Sequence, residues 1–215
     1  MIRRWFDKGK ESGQSAAAAS GPRIARHSGG WSAVRSRLQT EPGLRVIDSG
    51  ATSPTNINYL TSLGHSVFLT DLVTEACEGK WQTGVDQDDK PIYDVEGFLN
   101  QTLNFAGRMY DVVLLWTSLD YLPEPLVPAV VSHLYTSMNL GGQVLAFFHT
   151  RKRPEESAHC RFHLTDTDTV DMQTAQPFPI QRAFTNRSIQ DLFNRWSGFR
   201  QFLAKDSISE VIITR

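Results

Sequence analysis

The sequence predicts an α/β fold: a mostly parallel sheet between helical layers, closed by an antiparallel hairpin at the C-terminus. Three observations predict it. Residues 44–72 (LRVIDSGATSPTNINYLTSLGHSVFLTDL) read as strand, tight turn, helix and a second strand ending on an acid. Residues 110–116 (YDVVLLW) lead into a continuous apolar run, as in a strand covered on both faces. Near the end, residues 199–204 and 208–214 read as strands joined by Lys205-Asp206-Ser207, a link short enough to require antiparallel pairing.

The elements follow in order. Residues 1–30 read as a flexible basic tail and linker, because the stretch from Glu11 to Gly30 is rich in Ser, Ala and Gly and carries little apolar surface to offset ordering entropy. Its first residues, MIRRWF, make either a short arm for a partner or anionic surface, or a frayed end. The folded domain is expected over 31–215. Trp31, Val34 and Leu38 share one face of a short helix. Leu44, Val46 and Ile47 form a strand entered through Pro42-Gly43, with Asp48 and Gly50 at its carboxyl end. Ser53 is placed to cap a helix with Pro54 in its first position, and Gly64 to end it. Val67 to Thr70 form the next strand, with Asp71 at its tip. An acid about twenty residues beyond such a turn can accept hydrogen bonds from ribose hydroxyls. It can equally be a solvated strand-end acid.

Residues 78–90 have no clear period, and 95–105 read as a short helix. After the apolar strand, Pro125 and Pro128 suit the first turn of a helix carrying Leu126, Val130, Leu134 and Met138. Asn139-Leu140-Gly141-Gly142 ends that helix, and Gln143 to Phe148 make a strand. Residues 151–185 read as an inserted region, with a hairpin of residues 158–164 and 169–173 around Asp166-Thr167-Asp168. Asn186 is the expected cap of a last helix carrying Ile189, Leu192, Phe193 and Trp196.

This spacing resembles the class I S-adenosylmethionine-dependent methyltransferases, whose first strand and turn read aliphatic, aliphatic, acid, x, Gly, x, Gly, x, Gly. The chain matches at Val46, Ile47, Asp48 and Gly50 and departs at Thr52 and Pro54. Tyr110-Asp111 before an aliphatic strand, Leu140-Gly141-Gly142 before the next, and the terminal hairpin match as well. The resemblance implies a Rossmann-like three-layer sandwich around a mostly parallel seven-stranded sheet, S-adenosylmethionine as cofactor and S-adenosylhomocysteine as product. It places Asp48 at the methionine end, Gly50 beneath it and Asp71 on the ribose, with Thr52, Asn56, Leu72 and Trp116 lining the same site. Asn100 and Asn104 become candidates for the adenine amino group, or solvent-facing amides. A side chain or ring at positions 52 and 54 narrows such a pocket, so a relative that keeps the fold for partner binding without catalysis stays open beside the enzyme, as does an NAD-dependent reductase.

Methyl transfer from a sulfonium is a direct displacement that needs alignment more than a fixed base. Thr117 (with Ser118) and His149 are the weak catalytic candidates, at strand ends where ligands bind in open α/β sheets; His149 equally suits a structural role. No metal is expected. His159, Cys160 and His163 could supply ligands on paper, yet strand alternation turns Cys160 away from both histidines.

Composition limits the remaining choices. The 215 residues carry a formal charge of −1 and two cysteines, Cys77 and Cys160, which form no disulfide framework and suit a reducing, cytoplasmic setting. Basic residues gather before Arg37 (Arg3, Arg4, Lys8, Lys10, Arg23, Arg26, Arg35 and Arg37 against Asp7 and Glu11), leaving the body acidic. A small-molecule or protein acceptor therefore fits better than nucleic acid, and no apolar run approaches a membrane span.

Overall fold

Two apolar faces of one twisted sheet organise the chain. The computed structural model describes residues 21–78, 80–151, 159–202 and 206–215. The chain enters through β1 (Ile24–His27). The Ser28 hydroxyl then accepts the Trp31 amide and caps α1 (Gly29–Thr40). β2 (Arg45–Asp48) leads to α2 (Pro54–Ser62), capped by Ser53 with Pro54 in its first turn. Gly64, at φ +83°, takes the left-handed turn out of it. β3 (Ser66–Leu69) and α3 (Leu72–Cys77) follow. β4 (Gln82–Val85) and β5 (Pro91–Tyr93) pair with each other alone and lead to α4 (Val95–Thr102). Then come β6 (Tyr110–Trp116), α5 (Ser118–Tyr121), α6 (Leu126–Thr136) and β7 (Met138–His149). β8 (Cys160–Leu164), β9 (Thr169–Thr174), α7 (Asn186–Leu192), β10 (Gly198–Phe202) and β11 (Ile208–Thr214) complete the chain.

The main sheet has the order β10-β11-β7-β6-β2-β3. β3, β2, β6 and β7 run parallel, and β11 and β10 are antiparallel to their neighbours. Alternation divides the core. Ile47, Val113, Leu115, Val144, Phe148, Val211 and Ile213 face the helices α3 to α7. Val46, Val112, Leu114, Leu145, Phe147 and Ile212 face α1, α2 and a second, three-stranded sheet of order β1-β9-β8.

Four expectations need correction. The sheet has six strands among the described residues, because residues 82–93, which lie between α3 and α4, close on themselves as β4–β5 around an Asp86 carboxylate that accepts the Asp88 and Lys90 amides. The flexible linker does not extend to residue 30: Ile24–His27 pairs with Met172–Thr169 of β9, while the Met1–Phe6 arm lies outside the described residues. α6 ends at Thr136, where the Ser137 amide bonds to His133 and Leu134 carbonyls, and the strand begins at Met138 through Gly141 at φ +76°. Gly142 is needed there, since a Cβ would sit 2.8 Å from the Asn139 carbonyl oxygen. The cap of α7 is Thr185, whose hydroxyl and amide both pair with Ser188 in a reciprocal capping box.

The correction at β1 has a polar cause. Arg26 is 8% exposed and bonds Asp206, Glu210 and the Ile208 carbonyl. Glu210, 2% exposed, also accepts from the Ser28 hydroxyl (2.9 Å) and the Gly30 amide (2.8 Å). A buried acid with three donors ties the entry of the domain to its last strand. Glu210→Ala should therefore lower the unfolding free energy by about 3 kcal/mol, because Arg26 Nη1, the Ser28 hydroxyl and the Gly30 amide all lose this buried acceptor. Arg26→Met combined with Glu210→Leu should cost much less, and urea denaturation of the two variants checks the difference.

Candidate functional site

The carboxyl ends of β2, β3, β6 and β7 converge on the residues that the sequence singled out. Asp48 is 2% exposed. Its Oδ2 accepts from Asn56 Nδ2 at 2.8 Å and its Oδ1 from Trp116 Nε1 at 2.7 Å. The Gly50 amide adds a longer bond of 3.4 Å. Burial pushes this carboxyl above its ordinary pKa, while the donors from Asn56 and Trp116 oppose the shift. Asn56 is fixed in turn: its Nδ2 also donates to the Phe162 carbonyl (3.0 Å) and its Oδ1 accepts the Leu164 amide (2.7 Å). Beside it, the Ser53 hydroxyl bonds His163 Nδ1 (2.8 Å), whose Nε2 donates to Gln173 Oε1 (3.0 Å).

Trp116 is the surprise of the site. The pairing of β6 with β7 slips between Leu114 and Trp116, and Trp116 stands at φ +50°, a left-handed conformation that a bulky residue rarely takes. The slip aims the indole across the turn. A Cβ built on Gly50 would lie 2.7 Å from Trp116 Cδ1. Gly50 is thus required, as the sequence suggested, but it is the indole that comes close. The ring stacks on Phe162 (4.8 Å, 2°) and meets Phe147 edge-on (5.6 Å). Thr52 and Pro54, the two departures from the glycine pattern, are exposed.

The remaining expected residues take structural positions. Asp71 caps α3, its oxygens accepting the Thr74 amide (3.0 Å) and hydroxyl (2.9 Å), and it is half-buried. Leu72 is in the core. Asn100 and Asn104 are exposed and line a groove of about 290 Å³ between α4 and α6, with His133 and Ser137. A larger groove of about 540 Å³ lies between α1 and β10–β11. Both are away from Asp48. Thr117 caps α5 without a side-chain bond and is buried. Among the described residues, no cluster of three or more His, Cys, Asp or Glu side chains forms a metal-binding set.

His149 is tied to Asp120, which the sequence places with Thr117 and Ser118 at the carboxyl end of the same strand but does not pair with the histidine. Asp120 is fully buried, and its Oδ2 accepts both the backbone amide (2.7 Å) and Nδ1 (2.6 Å) of His149. The Asp120 carbonyl takes the amides of Gln181 (2.8 Å) and Arg182 (3.1 Å). Ile180 and Phe178 pack over Tyr121 and Val73, and His159 lies edge-on to Tyr121 at 5.1 Å. The inserted region therefore lies over the carboxyl end of the sheet and buries it. Its place just after the apolar strand was the available signal for Asp120, but only the fold brings His149 to its carboxylate and Gln181 and Arg182 to its carbonyl.

The acid that would organise the methionine end has both oxygens held by side chains of this chain, and the space above Gly50 holds an indole.

No protein-family model matches the chain, and no curated protein matches it. Solved structures do. TehB from Haemophilus influenzae is 15% identical with a TM-score of 0.46, over 86% of this chain and 61% of that one. An S-adenosylmethionine-dependent methyltransferase from Methanosarcina mazei is 16% identical with a TM-score of 0.49, over 83% and 95%. Magnesium protoporphyrin IX methyltransferase (ChlM) from Synechocystis, with bound S-adenosylhomocysteine, is 16% identical with a TM-score of 0.48, over 86% and 81%. The chain spans only about three fifths of TehB. The fold is a class I S-adenosylmethionine-dependent methyltransferase-like fold, an α/β sandwich in which parallel strands end in an antiparallel pair.

Two outcomes follow from this geometry. Asn56→Ala should cost about 3 kcal/mol or more in urea denaturation, since it leaves Asp48, the Phe162 carbonyl and the Leu164 amide short of a partner. Burial raises Asp120 to about 6 against its ordinary 3.8, despite the His149 donors. The unfolded chain releases that proton first, so the associated stability is present below about pH 4 and is lost as pH rises through 6, on the order of 3 kcal/mol in all. Relative to Asp120→Asn, the wild type should lose stability between pH 4 and 7, as measured by denaturation across that range.

Proposed function

We propose that this chain is a non-catalytic methyltransferase-fold domain that serves as a protein-interaction module. One observation carries the reading: the buried Asp48 carboxylate, which a methyl-donor site would keep for its ligand, is satisfied by Asn56 and Trp116. A fold does not by itself confer an activity, and here the position that would bear it has become core. Surface for a partner is available on the β4–β5 hairpin, where Val85 is 54% and Ile92 46% exposed.

A second reading is S-adenosylmethionine-dependent methyl transfer to a small-molecule or protein acceptor. It is favoured by the placement of Asp48, Gly50 and Asp71 along one carboxyl edge, and solved structures of similar fold hold S-adenosylmethionine or S-adenosylhomocysteine. It requires Trp116 to leave its place. An NAD-dependent reductase has the least support, because the loop lacks Gly-x-Gly-x-x-Gly and the sheet ends antiparallel.

Calorimetric titration of the whole chain with S-adenosylmethionine, S-adenosylhomocysteine and NADH should give no heat of binding. Saturable binding of S-adenosylhomocysteine would replace the first reading with the second. Asp71→Ala should cost about 1 kcal/mol in thermal denaturation as a lost helix cap.

A further inference from the structure

We propose that the Trp116 indole is an internal occupant of a binding cleft, and that the walls behind it form a latent site for a flat heteroaromatic ring bearing an N–H donor. The proposal rests on the non-catalytic reading and deepens it by assigning the cleft's occupant and chemistry.

The indole is held as a ligand would be. It offers one N–H to a buried carboxylate at 2.7 Å, one face to Phe162 at 4.8 Å and an edge to Phe147, and it lies against a glycine with no room for a Cβ. It is 1% exposed, so the enclosure is complete. The backbone presenting it is strained: φ +50° at a slipped register is tolerated only because the surroundings over-determine it, and glycine would adopt it freely.

Part of the wall is anchored apart from the indole. Asp48 is also held by Asn56, which is anchored independently to the Phe162 carbonyl and the Leu164 amide. Ser53 is held by His163, and His163 by Gln173. Removing the ring therefore leaves an enclosed, mostly apolar space with a single acceptor on its wall. The carboxylate oxygen left without its short donor selects a ring that brings its own N–H, and the apolar walls select one of matching shape.

Trp116→Gly is the test, with Trp116→Ala as the second variant. Each should melt below the wild type. Indole should raise the variant's melting midpoint saturably toward the wild-type value and leave the wild type unmoved, while benzene, which has no N–H, should recover less. S-adenosylhomocysteine binding to the variant but not to the wild type would extend the ligand class to adenine nucleosides. A folded variant indifferent to indole, or equal recovery by benzene, overturns the proposal. So does failure of both variants to fold with indole present, since the ring would then be ordinary core. Binding of S-adenosylhomocysteine by the wild type would instead defeat the non-catalytic reading, leaving the indole measurement to stand or fall on its own.

Discussion

A carboxylate taken out of water must find donors, and the need to satisfy Asp48 governs the arrangement around it. Its two short bonds come from α2 and from the end of β6. Asn56 carries the constraint further by grasping β8 through two backbone groups. One acid thus fixes the start of a helix, the tip of a central strand and the seat of the inserted hairpin. In an open nucleotide-binding cleft, part of that work falls to a ligand; here the chain does it all.

Glu210 plays the matching part at the other end of the main sheet. It gathers Arg26, Ser28 and Gly30 against β11, so β1 is held from both sides, by the β9 ladder and by this ion cluster. Close approach explains the economy of side chains there: a Cβ on Gly30 would meet Leu145 at 2.6 Å and Glu210 at 3.0 Å. The small sheet is therefore part of the domain body. Its β8 strand carries Phe162 into the ring stack under Trp116.

Much of the fold was legible because its signals are local. The Ser53-Pro54 start of α2, the apolar β6 run and the C-terminal hairpin each rest on residues a few positions apart. The strand at Ile24–His27 was not, since its four residues owe their order to Met172 and Glu210, far along the chain. The site was legible by address and not by content. Asp48, Gly50, Asn56 and Trp116 do meet, but nothing in their spacing says that Trp116 turns inward at a register slip, or that Phe162 returns to stack on it. Thr52 and Pro54 stand at exposed positions, and the ring against Gly50 comes from β6. Asp120 and His149 illustrate the same limit, being 29 residues apart and paired only where β7 passes α5.

The small sheet also bears on the order of assembly. Ile24 pairs with Met172, and Arg26 reaches Glu210 across 184 positions, whereas β2, β3 and β6 find each other over much shorter loops. Closing long loops is entropically slow. The parallel centre can therefore form first, with β6 bringing Trp116 against Gly50, and the far face of the indole is covered only when β8 delivers Phe162. During biosynthesis, one face of that indole stays uncovered until the chain has been made as far as residues 160–164.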